Sequence, residues 1–327
     1  MRSARAKRPA PKRPPTKRPD DAPTAGWRAR RAELEVALGG VQLRAMERAI
    51  ALAAGVRTAE APGGVVYSAR PGRPGGGLPI VGIHGFGGDK ETWLMMAALL
   101  PRARGVALID LPGHGRSADV PEEHASIRHH AEAALRVLDQ AGIDRAVLCG
   151  NSMGGGVALR IAASWPDRVA GLVLVASIGR DVHTVARAWL TGDNPLIPRE
   201  ADIERFMALV LERPPPVGRA VIRHVITRRA RSADRLHRLF RGFVLAGDDA
   251  GVPRDLGAIA QPTLVIHGEQ DRIIDKRVAE DLAAALPAAE LIVMRGVGHA
   301  PQLEAPRHTA RIVERFARRL DARPDPG

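Results

Sequence analysis

Apolar residues gather in short unbroken runs along most of the chain, and each run is followed by a stretch with helical spacing. The runs are 79–83 (PIVGI), 106–110 (VALID), 145–149 (RAVLC), 171–176 (GLVLVA), 262–267 (PTLVIH) and 290–294 (ELIVM). Their lengths suit strands, and their lack of alternation means burial on both faces. Helices are predicted near 91–100, 126–141, 154–164, 276–285 and 306–319. Strands alternating with helices specify a mostly parallel sheet flanked by helices. Ahead of this series, Val56–Glu60 and Val65–Ala69 read as a hairpin around Pro62-Gly63-Gly64. One interval breaks the rhythm: about 85 residues separate the runs at 171–176 and 262–267. Helical stretches near 181–190, 200–212, 217–230 and 232–246 occupy it. It is too long for a crossover and too helical for a loop, so 178–256 is expected to be a helical lid at one end of the sheet.

The N-terminal region is different. Residues 27–54 place Leu34, Leu38, Val41, Ala45, Ala49 and Leu52 at steps of three and four, an amphipathic helix whose apolar face is expected to pack on its own domain or lie on a membrane, and which Gly39-Gly40 is expected to weaken or bend. Residues 1–26 are rich in Lys, Arg and Pro, and are expected to be disordered. The division is therefore a 1–26 basic tail, a 27–54 helix, a core at 55–177 and 257–327, and the lid.

Charge changes the picture only at that end. The net charge is +13, but residues 1–31 carry eleven Lys/Arg against two Asp, and the remaining chain is close to balance. A folded body near neutrality argues against specific nucleic-acid binding. Two readings of the basic end stay open: peripheral contact with an anionic membrane, and a solvated tail. The single cysteine, Cys149, allows no intrachain disulfide. With no apolar run long enough to span a bilayer and no secretory apolar core, a cytoplasmic location is expected, with peripheral membrane contact as its variant.

Candidate chemistry clusters where the strand runs end. Gly150-Asn151-Ser152-Met153-Gly154 follows the run 145–149 and opens a helix, the strand–turn–helix context of a nucleophile elbow. A serine hydroxyl needs a base, and the base needs an orienting acid. His299 follows the last strand run and Asp271 follows the run 262–267, in the order Ser, Asp, His. Asp275 competes for the acid's place but stands where a helix begins and reads as its N-cap. Acyl transfer also needs N–H donors for an oxyanion. The backbone N–H groups of Met153 and of Phe86, in His84-Gly85-Phe86-Gly87-Gly88, are the candidates; His84 is expected to hold the loop by a hydrogen bond. Trp189, Leu196, Phe206 and Phe243 are the lid residues expected to line an acyl pocket. No His/Cys cluster has metal-ligand spacing, so neither metal nor cofactor is expected.

Four landmarks stand in register: HGFGG at 84–88, DLPGHGRS at 110–117, GNSMGGG at 150–156, and GEQDRIID with GVGHAPQLEAP at 268–275 and 296–306. In these, residues 60–320 resemble the α/β-hydrolase superfamily. HGFGGDKETW at 84–93, DNPLIP at 193–198 and FRGFVLAGDD at 240–249 look closest to bacterial lipases and monoacylglycerol-lipase-like hydrolases. Such relatives often have a membrane-associating N-terminal segment and a helical cap. The resemblance implies an α/β-hydrolase fold with a lid, and hydrolysis of a small-molecule or lipid ester through an acyl-enzyme. Serine at 152 argues against the branches with an aspartate nucleophile. Ala300 stands where carbon–carbon bond hydrolases often carry tryptophan. Carbon–carbon hydrolysis, perhydrolysis, acyl transfer and a non-catalytic binding role remain the alternatives.

Overall fold

The computed structural model describes residues 25–180, 189–190, 194–197, 202–213, 217–246 and 251–322. The expected disordered tail falls, up to residue 24, outside the described residues. Most of the expected helix at 181–190 does too.

Eight strands form one sheet in the order β1-β2-β4-β3-β5-β6-β7-β8. They are β1 (Arg57–Ala61), β2 (Val65–Arg70), β3 (Ile80–Ile83), β4 (Val106–Ile109), β5 (Ala146–Asn151), β6 (Val169–Val175), β7 (Thr263–Gly268) and β8 (Ala289–Met294). The hairpin β1–β2 is antiparallel and joins β4 antiparallel; every other pairing is parallel. The expected mostly parallel, helix-flanked sheet is therefore the fold. The six strand runs fall on β3 to β8; the side chains of β3 to β7 fill two layers at once, while β8 at the sheet edge is only partly buried. Leu148 of β5 joins the core on one face, and Val147 and Cys149 join the core on the other. Each large apolar side chain buried this way contributes about 1.5–3 kcal/mol.

The flanking helices are α2 (Leu94–Leu99), α3 (Ile127–Gln140), α4 (Met153–Ser164), α8 (Lys276–Ala285), the short α9 (Pro301–Glu304) and α10 (Pro306–Asp321). Ser126 caps α3 by accepting the N–H of His129. Asp275 caps α8 by accepting the N–H of Arg277, the role expected for it. Among the described residues between β6 and β7 stand three helices, α5 (Ile203–Val210), α6 (Arg219–Arg231) and α7 (Ala233–Leu245), close to the expected positions.

The first helix, α1 (Ala25–Ala54), departs from expectation in two ways. Gly39-Gly40 lies within one continuous helix. Its glycines are buried against α6, where a Cβ on Gly39 would collide with the carbonyl of Ala220 and one on Gly40 with the His224 ring. The pair therefore permits close helix packing. His224 Nδ1 reaches the carbonyl of Val36 at 2.9 Å. Second, the periodic apolar stripe faces away from this contact: Leu34, Leu38, Val41 and Leu52 are exposed. Among the described residues no helix is long and apolar enough to cross a membrane.

Candidate functional site

Strand β5 runs directly into α4, and the turn between them is Ser152. Its backbone takes φ 53°, ψ −118°, a conformation that costs a non-glycine residue about 1–3 kcal/mol. The surrounding glycines make the turn sterically feasible: a Cβ on Gly150 would collide with the carbonyl of Gly154, and one on Gly154 with the carbonyl of Ile83. Ser152 is held by its N–H to the carbonyl of Val175 at 3.0 Å. Its side chain lines a cavity of about 240 Å³.

Asp271 and His299 come from loops 28 residues apart and meet at 2.8 Å, Nδ1 to Oδ2. The Asp271 side chain is fully buried, and its other oxygen accepts the N–H groups of Ile273 at 2.8 Å and Ile274 at 3.0 Å. Burial alone would raise this carboxyl. The neighbouring His299 charge, its hydrogen bond and the two backbone donors outweigh burial and hold it below its ordinary value. Donation from Nδ1 to Asp271 leaves Nε2 as the basic nitrogen of His299. Asn151 links this pair to the elbow, its Nδ2 donating to the carbonyls of Val175 at 3.0 Å and His299 at 3.2 Å. His267 lies behind the acid, with Nε2 at 3.7 Å from Asp271 Oδ2 and 3.1 Å from the carbonyl of Ile274.

The loop after β3 approaches the elbow so closely that a Cβ on Gly85 would lie 3.1 Å from the Ser152 Cβ. His84 sets its course. Its Nε2 accepts the N–H of Leu111 at 3.0 Å, so Nδ1 carries the proton and donates to the carbonyl of Gly85 at 2.7 Å. The N–H of Gly88 reaches the same carbonyl at 3.0 Å. A trans peptide points its N–H opposite its carbonyl, so these contacts also aim the N–H of Phe86. His84 stays neutral because burial lowers its pKa more than Asp110 raises it. Met153 supplies the first N–H of α4, where helix N–H groups have no intrahelical partner.

Phe86, Met153, Trp189, Leu196 and Phe243 all line the cavity with Ser152. Phe206 is not among the lining residues; its ring lies under the Arg229 guanidinium, 4.9 Å from centroid to Cζ. Phe240 takes a lining position instead, with its ring 5.3 Å from Phe86 and 6.1 Å from Phe243. Its three-residue spacing from Phe243 on one helix face was the available signal. Among the described residues Arg180 is the one cationic residue of the lining, and Asp275 and Asp281 are its acids.

Sequence reasoning also missed the supports. Lys90 and Asp110 form a buried ion pair at 2.9 Å, and Asp110 also accepts the N–H groups of Lys90 at 2.7 Å and Arg116 at 3.1 Å. Asp110 opens DLPGHGRS, but nothing local in that motif names Lys90 as its partner. Among the described residues no group of His, Cys, Asp and Glu could hold a metal ion.

The model of the "Alpha/beta hydrolase family" matches residues 80–312. A monoacylglycerol lipase of Xenopus laevis is 28% identical, over 78% of this chain and 80% of its own length. The 2-hydroxymuconate semialdehyde hydrolase of Pseudomonas putida is 33% identical, over 76% of this chain and 90% of its own. Among solved structures, a membrane phospholipase A described as a bacterial virulence factor superposes with a TM-score of 0.75 at 26% identity, over 89% of this chain and 93% of that one.

Proposed function

The chain belongs to the alpha/beta hydrolase family, and on that premise we propose that it hydrolyses carboxylic esters through an acyl-enzyme formed on Ser152. The observation that carries this reading is the His299–Asp271 hydrogen bond beside a strained serine elbow. His299 Nε2 takes the Ser152 proton as the hydroxyl attacks the ester carbonyl. Asp271 holds the imidazole in the tautomer this requires and stabilises the imidazolium. The oxyanion is received by the N–H groups of Phe86 and Met153. His299 then protonates the leaving alcohol, activates water in its place, and the acid departs. Both halves use the same groups, so no cofactor enters the balance.

The substrate class follows from the cavity. Phe86, Trp189, Leu196, Phe240 and Phe243 surround the serine with apolar surface, which favours an acyl chain. The insertion 178–256 acts as the lid that supplies most of this surface. The names of the lipase and phospholipase relatives agree with a lipid ester. Hydrolysis of a charged semialdehyde, suggested by the Pseudomonas putida relative, fits less well: among the described residues of the lining an anionic substrate would meet one arginine and two aspartates. The N-terminal region extends the same reading. Leu34, Leu38, Val41 and Leu52 form an exposed stripe on a helix that also carries the exposed Arg44 and Arg48, a combination suited to an anionic lipid surface.

A fluorophosphonate probe tests the reading. Labelling at Ser152, with ester turnover lost by about 10⁴-fold or more in a folded Ser152→Ala protein, is expected. Near-normal turnover by that variant overturns it.

A further inference from the structure

An oxyanion loop poses a problem of carbonyls. When its N–H groups face the substrate, some of its carbonyl groups point into the protein, and a carbonyl buried there needs a donor. After β3, that donor comes from the helical insertion. Arg229, in the last turns of α6, donates to the carbonyls of both Phe86 and Gly87, the former at 3.3 Å. The same guanidinium donates to the carbonyl of Leu196 through Nε at 2.8 Å and Nη2 at 2.6 Å. Its flat face covers the Phe206 ring. A side chain at residue 87 would occupy the guanidinium's place, and Gly87 has φ +65°. One turn face of α6 is thus fitted to this loop. Arg228 reinforces the attachment with an ion pair to Asp89 at 2.6 Å.

We infer that Arg229 is a positioning residue for the oxyanion loop, so that the site is complete only while the insertion is docked. The inference rests on the ester-hydrolase reading. The planar fork of arginine matters, since it serves three carbonyls from one rigid plane, whereas the ammonium of lysine is a point donor. Burial lowers its pKa to about 10, more than Asp89 opposes, so the fork stays charged near neutrality. The insertion therefore does more than cover the cavity. Lifting α6 would remove the donors that hold the Phe86–Gly87 and Gly87–Gly88 peptides, which follow directly on the peptide whose N–H faces the oxyanion, so the chemical step requires α6 in place.

The test compares Arg229→Met, Arg229→Lys and, as a control on the same helix, Arg223→Gln, which removes the ion pair with Glu35 on α1. A soluble short-chain nitrophenyl ester gives kcat and KM. A trifluoromethyl ketone, whose adduct carries an oxyanion, gives transition-state affinity. Arg229→Met is expected to lower kcat by about 10- to 100-fold with KM little changed, and to weaken the ketone by the same factor. Arg229→Lys should fall between it and the wild type, and Arg223→Gln should match the wild type. If Arg229→Met does not fold, Arg229→Lys reads the same two quantities. A kcat within twofold of wild type, or a loss of kcat without loss of ketone affinity, overturns the inference. Absence of fluorophosphonate labelling at Ser152 in the wild type overturns the ester-hydrolase reading instead. In that event amide hydrogen exchange at residues 86–88 decides on Arg229: faster exchange in Arg229→Lys supports it, and unchanged exchange rejects it.

Discussion

The carboxylate of Glu304 accepts the backbone N–H of Gly298 at 3.0 Å, one residue before His299. Its other oxygen accepts the N–H groups of Glu212 at 2.8 Å and Arg213 at 2.9 Å, just beyond α5. The N–H of His299 itself donates to the carbonyl of Val210 at 3.0 Å. A single side chain therefore fastens the histidine loop to the insertion, as Arg229 fastens the loop after β3. Hydrogen bonds to a charged acceptor contribute about 1.5–3 kcal/mol each. Glu304→Ala should lower the unfolding free energy by about 2–4 kcal/mol and reduce kcat. Glu304→Gln, which keeps one acceptor oxygen, should lose less of both. Urea midpoints and ester turnover on the two variants decide whether the carboxylate has this role.

Asp271→Asn should lose far more activity than Asp275→Asn. The first exchange keeps the shape but offers His299 Nδ1 an amide that can favour the wrong tautomer, a loss of about 10³- to 10⁴-fold. The second leaves a residue that still caps α8, since asparagine is as good an N-cap as aspartate, and turnover should stay within a few-fold. The pH dependence has a definite sign. The Asp271 carboxyl is held below its ordinary value. Its contribution to stability is therefore complete above about pH 4 and is lost as pH falls through the lowered value. The stability difference between wild type and Asp271→Asn, read from urea midpoints, should therefore shrink as pH falls below about 4. A larger loss at Asp275 would reverse the assignment.

Three buried histidines set a second pH effect. His84, His114 and His130 lie in series, with ring centroids 5.3 Å and 5.8 Å apart. Burial lowers all three, His114 well below its ordinary value and His130 from 6.5 to about 3. Over the interval between those values the unfolded chain binds protons that the folded protein excludes, so stability rises with pH there. Read downward, it begins to fall as pH drops below about 6.5 and continues to fall toward pH 3. Each such histidine contributes a slope of up to about 1.4 kcal/mol per pH unit. His130→Phe keeps a ring beside His114 and should flatten the dependence of urea stability on pH between 6 and 4. An unchanged slope would refute the account, whatever happens to the midpoint.

The parts legible in the sequence share a cause. Strands β3 to β7 appear as apolar runs because both their faces are buried, β8 at the sheet edge is only partly buried, and the elbow appears because its constraints act within five residues. Asp271 and His299 are legible as candidates because they follow strand ends, and their side chains lie 2.8 Å apart. What was hidden depends on backbone partners or on distant ones. Arg229 and Glu304 bind carbonyl and N–H groups, which every residue possesses and no motif records. The Lys90–Asp110 pair spans 20 positions. The apolar period of α1 suggested a packing face, but the helix packs through Gly39 and Gly40, whose absent side chains carry no hydropathy signal. Phe206 and Phe243 looked alike in sequence; the cation of Arg229 takes the first, and the cavity takes the second.

The N-terminal region should govern location and leave catalysis alone. Residues before Asp20 carry eight Lys/Arg, and a basic residue near an anionic bilayer gains about 1 kcal/mol, less at higher salt. On α1 the contact with α6 is made by one face, while Leu34, Leu38, Val41 and Leu52 stay exposed on another. Basic attraction and an apolar stripe on one segment suit a lipid surface. A substrate held in lipid would make such docking useful. Two variants separate the contributions. Deleting residues 2–24 removes the basic tail and spares α1. Leu38→Asp removes apolar contact at a side chain 53% exposed, where a charge disturbs no packing. Co-sedimentation with anionic vesicles should fall in both, and only the deletion should weaken the response to salt. Turnover of a soluble short ester should remain within twofold of wild type in both. If the intact protein does not sediment with vesicles even at low salt, membrane contact is ruled out and the tail is simply solvated. If the deletion abolishes turnover of the soluble ester, the tail is part of the working enzyme, and location is not its role.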